Sequence, residues 1–207
     1  MTPPARLILA SESPRRRELL SAVGIPFRVL PSGIDETPRR GEPPSRFVRR
    51  AALDKGRWVA ARHPGAFVLS ADTIVVAGGR ILGKPRDRGE ARRMLSFLAG
   101  REHRVHTAVC LLCAARGYED VRTEVTRVRF RGLTVPEATA YARTGEGDDK
   151  AGAYAAQGAG MLLIDRVSGS FSNVVGLPMT RVVEMLRKAR LIRVSPSGPS
   201  WYAGAGG

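Results

Sequence analysis

Apolar and polar residues alternate along this chain with two periods, one typical of strands and one typical of helices. The strand period and short apolar runs predict strands at 7–10, 27–30, 66–77, 80–82, 104–114, 121–130 and near 161–167. The helical period, with Ser, Pro and Gly at its boundaries, predicts helices at 14–23, 45–62, 90–98, 136–143 and 180–189. This mixed order of strands and helices predicts an α/β protein.

The length of the chain bounds its domain organisation. With 207 residues it is most simply one domain, or one domain with two lobes. We expect that domain to span 1–194. The final stretch, 195–207, reads SPSGPSWYAGAGG, and this composition predicts a disordered tail.

Hydropathy and cysteine content indicate the setting in which the protein works. The sequence has no apolar run of about 18 residues, the length that a membrane-spanning helix needs. Its first residues contain only a short apolar segment, which is shorter than that of a secretion signal. Two cysteines in a chain of this length do not make a disulfide framework. We therefore expect a cytoplasmic protein with no membrane partner.

The charge of the chain indicates an anionic partner. The formal net charge is +15, which suits a nucleic acid, a membrane surface or a phosphorylated substrate. The arginines are spread along the whole sequence and do not form one basic tail or stripe. Only four of the 34 basic residues are lysines: Lys55, Lys84, Lys150 and Lys188. A position that keeps lysine in such a chain indicates a need for a compact ammonium.

Asp72 interrupts the apolar strand predicted at 66–77. A carboxylate there is costly unless it is paired, bound to a metal or used in chemistry, although an exposed aspartate at a strand end is the simpler interpretation. The pair Gly78-Gly79 predicts a two-residue hairpin, which would set Thr73 opposite Lys84 and bring that lysine close to Asp72. Such a pair is either an ordinary cross-strand ion pair or part of a site.

Lys55 is the second lysine of interest. It falls on the apolar stripe of the helix predicted at 45–62, with Val48, Ala52 and Val59. A lysine in this position either extends its ammonium to solvent along the apolar surface or supplies it to a site. Position alone leaves both interpretations open.

Three consecutive arginines, 15–17, stand where the first predicted helix begins. The helix dipole is positive at that end, so each cation is misplaced by about 0.3–1 kcal/mol unless something anionic compensates. The acidic pair Asp35-Glu36 lies in a polar loop and is most simply solvated. If that loop folds over the helix start, the pair could supply a carboxylate to a metal–phosphate site.

The segment DKAGAYAAQGAG at 149–160 is the last candidate for chemistry. Its glycines, Gly152, Gly158 and Gly160, allow close approach of the backbone to a ligand. Gln157 offers both a donor and an acceptor, which suits the edge of a nucleobase. A plain surface loop is the alternative.

Two histidines and two cysteines lie in or just before the strand predicted at 104–114. These residue types suggest a zinc site at first sight. Side chains alternate between the two faces of a strand, so His106 and Cys110 face one side, and His103 and Cys113 face the other. Four ligands cannot converge from opposite faces. Ordinary core cysteines are the better interpretation.

Six stretches of the chain together resemble the Maf family of nucleoside triphosphate pyrophosphatases. They are ASESPRRRELL at 10–20, GIDETP at 33–38, LSADTIVV at 69–76, ILGKPRD at 81–87, DKAGAYAAQG at 149–158 and NVVGLP at 173–178. They occur in the family's order with matching intervals, and they cover most of the chain. Six motifs in order are far more specific than any one of them.

The resemblance implies a fold and a reaction. The expected fold is the Maf/ITPase-like α/β fold, an elongated mixed β-sheet with flanking helices and two lobes around a central cleft. The expected reaction is hydrolysis of a nucleoside triphosphate between its α and β phosphates, which yields the monophosphate and pyrophosphate. The expected cofactor is a divalent metal cation, Mg²⁺ or Mn²⁺.

The resemblance also assigns roles to individual residues. In the phosphate and metal site, it implies that Asp72 is the general base and a metal ligand, and that Glu36 is a second metal ligand. It further implies that Lys55 and Lys84 are catalytic cations and that Ser11 and Arg16 bind phosphate. Those that sort the subfamilies are Arg15, Thr73 and Gln157. The dTTP/UTP-cleaving branch has these three residue types, whereas the 7-methyl-GTP branch has Trp, Gln and Glu.

We therefore expect a house-cleaning dTTP/UTP pyrophosphatase, with a nucleoside triphosphate as its partner and no specific nucleic acid. A Maf enzyme that prefers 7-methyl-GTP is one alternative. Another is a basic protein without catalysis that binds nucleic acid or regulates septum formation, a process with which the family is also connected. A homodimer is a further expectation.

Overall fold

The computed structural model describes residues 7–34, 37–194 and 201–203. The strands in chain order are β1 Leu7–Leu9, β2 Arg28–Val29, β3 Phe67–Ala77, β4 Arg80–Leu82, β5 Glu102–Cys113, β6 Tyr118–Phe130, β7 Ile164–Ser168, β8 Ile192–Val194 and β9 Trp201–Ala203. The α-helices are α1 Pro14–Ala22, α2 Pro44–Arg62, α3 Arg88–Leu98, α4 Val135–Thr144, α5 Phe171–Val175 and α6 Met179–Lys188. Short 3₁₀ helices lie at Ala114–Arg116, Ala151–Ala153 and Gly158–Leu163. The predicted α/β class is confirmed.

The described strands form one large mixed sheet and one small sheet. The order in the large sheet is β2-β1-β3-β5-β6-β7, and β4 pairs with β3. Strand β1 runs parallel to both β2 and β3, whereas the β3–β4 and β6–β7 pairs are antiparallel. Strands β8 and β9 form the separate antiparallel pair. Strand β9 lies within 195–207, the tail that was predicted to be disordered, and the other residues of that tail lie outside the described residues.

The chain divides into two compact units. Unit 1 comprises Met1–Asp72, Ala108–Thr123 and Gly176–Gly207, and unit 2 comprises Thr73–Thr107 and Glu124–Val175. The core of unit 1 is formed by β1, the first half of β3, the end of β5, α1 and α6, with Leu9, Leu20, Leu69, Leu111 and Leu186 buried together. These residues follow the strand and helix periods read from the sequence, which explains why these elements were predicted.

Helix α2 packs unusually close to the sheet of unit 1. The Ser70 hydroxyl on β3 donates a hydrogen bond of 2.7 Å to the Ala52 carbonyl. A Cβ atom at Gly56 would lie 2.5 Å from Leu112 Cδ1 and 2.6 Å from Ser70 Oγ. Glycine costs a helix interior about 1 kcal/mol relative to alanine, but only glycine fits this approach without displacing its neighbours. This contact fixes the distance between β3 and the neighbouring Lys55 on α2.

The β3–β4 hairpin has the register that the glycine pair predicted. Val75 is opposite Leu82, and Ala77 is opposite Arg80. Both turn glycines have positive φ, 54° at Gly78 and 74° at Gly79, as a tight two-residue turn requires. The ladder ends at the Val75–Leu82 pair, so Thr73 and Lys84 lie beyond its last pair.

The segment predicted as a strand near 161–167 begins differently. Gly158–Leu163 is a 3₁₀ helix, and the strand that follows, β7, is Ile164–Ser168. Gly158 has a φ of 67°, which no strand residue adopts. The apolar run Met161-Leu162-Leu163 has a strand-like composition, but the glycines before it turn the backbone. Helix α5 was not predicted because its five residues are too few to show a helical period.

An aromatic cluster around His103 anchors the core of unit 2. The His103 ring packs edge-on against Phe130 and Tyr154, with centroid distances of 5.0 and 5.3 Å. Its Nε2 lies 2.8 Å from the Tyr154 hydroxyl, and the side chain is only 2% exposed. Within the described residues, no group of three or more His, Cys, Asp or Glu side chains could hold a metal ion. The 2% exposure of His103 and its contacts with Phe130 and Tyr154 make it a residue of this core.

None of the helices in the described part of the chain is long and apolar enough to cross a membrane.

Burial of His103 should make the stability of the fold depend on pH. Burial lowers the pKa of His103 from 6.5 to about 4. Between these values the unfolded chain binds a proton that the folded protein does not, so the free energy of unfolding should fall as the pH drops from 6.5 to 4. The expected loss is on the order of 3 kcal/mol.

Urea unfolding of the wild type and of His103→Gln at neutral pH and at about pH 4 measures this loss. Glutamine keeps a polar partner for Tyr154 but does not titrate. The wild type should lose more stability than the variant on acidification, and equal losses would contradict the assignment.

Candidate functional site

Asp72 and Lys55 form a buried ion pair in unit 1. Lys55 Nζ lies 2.9 Å from Asp72 Oδ1, and the two residues are only 8% and 6% exposed. Asp72 is held by β3, whose preceding residues are fully buried, and Lys55 projects from α2 at the turn where Gly56 lets that helix approach the sheet. The lysine on the apolar stripe is therefore directed inward, onto a carboxylate, and not to solvent.

A single backbone carbonyl joins this pair to Arg16. The Ala71 oxygen accepts a hydrogen bond from Arg16 Nη1 at 2.8 Å and another from Lys55 Nζ at 3.4 Å. Arg16 is itself 8% exposed. Two cations from two helices thus meet at the residue that precedes Asp72 on β3.

Arg16 also fixes Ser11 and the chain before α6. Its Nε donates to the Gly176 carbonyl at 2.8 Å, and its Nη1 donates to Ser11 Oγ at 3.0 Å. Ser11 Oγ further accepts a bond of 3.3 Å from the Ser13 amide. The side chain of Ser11 is therefore held by the helix start that it precedes.

The three arginines at the start of α1 have three different environments. Arg15 is half-buried, Arg16 is buried and Arg17 is exposed. The sequence predicted that an anion compensates the cations at this helix end. For Arg16, the carbonyls of Ala71 and Gly176 supply negative partial charge within the protein itself. These bonds offset the cost of burying its charge.

The remaining residues assigned to the phosphate and metal site are described less fully. Lys84 is exposed and follows directly after β4 and Gly83. Glu36, the second metal ligand implied by the resemblance, lies outside the described residues. The spacing of the hairpin predicts Lys84 as a neighbour of Asp72, and this stays a prediction. The structure places Lys55 in direct contact with Asp72.

Thr73 begins a polar network inside unit 2. Its Oγ1 lies 3.0 Å from Thr107 Oγ1, and Thr107 Oγ1 donates to the Asn173 carbonyl at 3.3 Å. Because a hydroxyl has one proton, the Thr73 hydroxyl is the donor between the two threonines. The fully buried Asn173 then donates to Val105 O at 3.1 Å and Thr126 Oγ1 at 2.9 Å.

Asn173 and Gly176 carry structural roles that the sequence analysis missed. Both belong to the stretch NVVGLP, which was noted only as part of the resemblance. Asn173 organises the network behind Thr73 in unit 2, and Gly176 anchors Arg16 in unit 1. The burial of Asn173 and the φ of 121° at Gly176 are properties of the folded chain that the sequence pattern does not show.

Gln157 is exposed at the start of the 3₁₀ helix Gly158–Leu163. It occupies the N-cap position, but its side chain makes no capping hydrogen bond. The residues on its N-terminal side, Tyr154, Ala155 and Ala156, are buried. Its exposed amide offers a donor and an acceptor to a ligand.

A family model described as "Maf-like protein" matches residues 6–189. The chain belongs to the Maf family. Its Maf relatives include proteins of Moorella thermoacetica, Myxococcus xanthus and Symbiobacterium thermophilum, each 52% identical to it. These alignments cover 88%, 89% and 87% of this chain and 94%, 93% and 92% of the respective relatives.

Each of these three Maf relatives bears the name "dTTP/UTP pyrophosphatase". A Ham1 protein of Staphylococcus aureus is a more distant structural neighbour, with 12% identity and a TM-score of 0.41 over 60% of this chain and 71% of the other. The membership that the six motifs predicted is confirmed.

The Lys55–Asp72 pair of this Maf protein should show strong energetic coupling. Lys55→Met leaves a buried carboxylate without its ammonium, and we expect it to lower the free energy of unfolding by about 3–5 kcal/mol. Asp72→Asn removes the charge that would be stranded. The double variant should therefore regain stability relative to Lys55→Met.

Urea unfolding of the wild type, both single variants and the double variant measures the coupling energy. We expect about 1–3 kcal/mol for two residues in direct contact. Additive effects would show that the two side chains do not interact directly in solution.

Proposed function

We propose that this Maf-family protein hydrolyses dTTP and UTP to the monophosphate and pyrophosphate, and so removes excess or modified pyrimidine nucleotides. The observation that carries the proposal is the buried set of Asp72, Lys55, Arg16 and Ser11 around the Ala71 carbonyl. This set places a carboxylate that can accept a proton beside cations that can bind phosphates. The names of the relatives, which are about half identical to this chain over most of its length, support the substrate.

Asp72 is the proposed general base. The Lys55 ammonium lies 2.9 Å from its Oδ1 and pairs with the carboxylate. An ionised carboxylate held by a strand can orient the attacking water and accept its proton as the water oxygen bonds to the α-phosphorus. The bond from the α-phosphorus to the bridging oxygen then breaks, and pyrophosphate leaves.

The cations stabilise the charge that develops on the phosphates. Arg16 and Lys55 are already oriented by their bonds to the Ala71 carbonyl, so little reorganisation is needed when a polyphosphate binds. Ser11 is held by Arg16 and supplies a hydroxyl for a phosphate oxygen. The exposed Lys84 is proposed to contact the leaving pyrophosphate.

The carboxylate of Asp72 is the described donor that suits a divalent cation of the magnesium type. Mg²⁺ is typically bound by one or two carboxylates together with substrate phosphates and water, and it neutralises charge on the phosphate oxygens. Asp72 supplies one carboxylate, and Glu36 is the proposed second. Such a site does not need the three or more side-chain ligands of a metal centre made by protein alone.

Base recognition is proposed for Arg15, Thr73 and Gln157. Uracil and thymine present two carbonyl acceptors on either side of one N–H donor. The Gln157 amide can donate to a carbonyl and accept from the N–H, and Arg15 can donate to the other carbonyl. Thr73 is held in place by the Thr107 and Asn173 network.

Isotope labelling tests the bond that is cleaved. In ¹⁸O-water, attack at the α-phosphorus places the label in dTMP and leaves pyrophosphate unlabelled. Label in pyrophosphate would indicate attack at the β-phosphorus, and label in orthophosphate would indicate loss of the terminal phosphate. Either of these results would contradict the proposed reaction.

Asp72→Asn is the variant that tests the base. The substitution is nearly isosteric, and we expect it to lower kcat by about 10²–10⁴-fold. Circular dichroism checks that the variant is folded. An active, folded Asp72→Asn protein would remove Asp72 from the mechanism.

Gln157→Glu tests the recognition of the base. An ionised glutamate only accepts hydrogen bonds, so it leaves a pyrimidine carbonyl without its donor. We expect kcat/KM for dTTP to fall far more than the low rates on GTP and ATP, since a site that pairs polar groups rejects a mismatched ligand strongly. Equal losses on all nucleotides would show that Gln157 supports the loop or the phosphates and does not read the base.

A second candidate function, binding of a nucleic acid backbone, is favoured by one exposed face of unit 2. Arg127 and Arg129 on β6 and Arg166 on β7 line a depression of about 450 Å³. Arg129 and Arg166 are direct partners across the two strands, and like charges in that arrangement repel each other. Asp165 lies 3.8 Å from Arg129, and Glu102 lines the same depression, so two carboxylates face three arginines and offset their repulsion only in part. Phosphates would relieve the remainder.

Replacing these three arginines with alanine should weaken binding of a single-stranded oligonucleotide. The slope of log K against log salt should fall by about 2, since each lost phosphate contact contributes about 0.7. A matched control replaces three other exposed arginines of unit 2: Arg92, Arg93 and Arg143. An equal change in the control would show that only the net charge matters.

A cytoplasmic location is part of the proposal, supported by Cys110 and Cys113, which are both free and buried. A homodimer and a role in septum formation stay predictions.

A further inference from the structure

The Glu146 carboxylate lies at the centre of the loop that carries Gln157. Its Oε2 accepts a hydrogen bond of 2.6 Å from the Tyr141 hydroxyl and one of 2.8 Å from the Gly160 amide. Its Oε1 accepts a third, of 3.0 Å, from the Ala159 amide. One side chain thus contacts a helix residue on one side and two backbone amides on the other.

Tyr141 extends this contact to the residues before Gln157. Its hydroxyl oxygen accepts a bond of 3.0 Å from the Ala155 amide, while its proton goes to Glu146. The Tyr141 side chain lies in the core of unit 2. Burial, and then the bond to Glu146, raise the pKa of the Tyr141 hydroxyl, so it stays protonated and keeps donating at neutral pH. Glu146 and Tyr141 therefore hold the backbone on both sides of Gln157.

The glycines of the loop make this close approach possible. A Cβ atom at Gly158 would lie 2.0 Å from Glu146 Oε1. One at Gly160 would lie 1.9 Å from the Ala155 carbonyl oxygen. Gly158 therefore accepts no side chain while Glu146 is in place, and Gly160 accepts none while the backbone of Ala155 keeps its present path.

This arrangement changes what the Gln157 side chain has to do. The first amides of a helix need acceptors, and the N-cap side chain commonly supplies one. Here Glu146 accepts from the amides of Ala159 and Gly160, the second and third residues of the 3₁₀ helix. The Gln157 side chain makes no capping bond and is exposed. Glu146, 13 positions before Ala159 in the sequence, therefore makes the capping hydrogen bonds that an N-cap side chain would otherwise make.

We infer that Glu146 is a positioning residue for nucleotide selection: its carboxylate caps the 3₁₀ helix Gly158–Leu163 in place of Gln157, and so holds the Gln157 amide ready for the base. This inference rests on the proposed function, in which Gln157 reads a pyrimidine. Glu146 itself contacts backbone and Tyr141, so its effect on the base passes through the loop.

Glu146→Gln is the direct test. The amide keeps one acceptor oxygen but turns an NH₂ group toward donors that need acceptors. We expect the ratio of kcat/KM for dTTP to that for GTP to fall between about 10- and 100-fold through a raised KM for dTTP, because a misplaced contact group weakens binding. The low rates on purine nucleotides should change little. Hydrogen exchange at the Ala159 and Gly160 amides should become faster in the same variant.

Glu137→Gln is the matched control. Glu137 also accepts from a helix-start amide in unit 2, that of Thr134, in the capping box of α4. Its replacement removes a capping carboxylate from the same unit. Glu137 also pairs with Arg131 at 2.8 Å, and Arg131 donates to the Leu162 carbonyl near the other end of the 3₁₀ helix, away from the Ala159 and Gly160 amides. The nucleotide ratio and the exchange of the Ala159 and Gly160 amides should stay at the wild-type level.

Tyr141→Phe provides a second variant if Glu146→Gln does not fold. It removes one donor to Glu146 and the acceptor of the Ala155 amide, and keeps the aromatic ring in the core. A smaller loss of the dTTP preference, in the same direction, is expected. A variant of either kind that exchanges these amides faster but keeps the wild-type nucleotide ratio would overturn the inference.

The inference and the proposed function fail in different ways. If Gln157→Glu leaves the dTTP preference intact, recognition of the base by Gln157 is wrong, whatever Glu146 does. If Gln157→Glu abolishes the preference but Glu146→Gln preserves it, or lowers all nucleotides and thermal stability alike, Glu146 has only a structural role.

Discussion

The Ala71 carbonyl oxygen accepts hydrogen bonds from Arg16 and from Lys55, and these two bonds organise the buried charges of unit 1. Neither cation could be buried without acceptors, because a charge removed from water must be paired or hydrogen-bonded. The acceptor belongs to the backbone of a fully buried part of β3, so it is as rigid as the sheet. Asp72 follows it directly and completes the pairing of Lys55. The positions of two helices are thereby tied to one peptide unit.

Unit 2 fixes its candidate residues with neutral contacts and with one carboxylate. Thr73 is held through Thr107 and Asn173, and the Gln157 loop is held through Glu146 and Tyr141. In both cases backbone groups are among the partners, so the geometry depends on the path of the chain. Replacing any one member of such a network is costly, because the remaining members are left with unsatisfied polar atoms.

The local pattern of the sequence was enough to predict most elements and one register. The strand and helix periods placed β3, β4 and α2 within a residue or two, and Gly78-Gly79 fixed the pairing of the hairpin. The partner of Asp72 was harder to predict, because it depends on how closely α2 approaches the sheet. That distance is set by Gly56, Ser70 and Leu112, which no spacing rule connects.

Glu146 was missed for a related reason. Its partners are main-chain amides, and amides look alike at every position of a sequence. Lys55 was found because a charge on an apolar stripe is visible in the pattern, although the pattern left its direction open. The resemblance to the Maf family implied roles that neither periodicity nor spacing could supply, and those roles stay predictions.

The bond from Arg16 to the Gly176 carbonyl has a consequence for the order in which the protein matures. The two residues are separated by 160 positions, and both belong to unit 1. During synthesis, the first strand and helix emerge long before residue 176 exists. Until then Arg16 lacks one of its acceptors, and its guanidinium cannot be buried in the final arrangement. The cluster around Asp72 is therefore completed only when the ribosome has made most of the chain, and a truncated product carries every charged residue of the cluster without the means to set Arg16 in place.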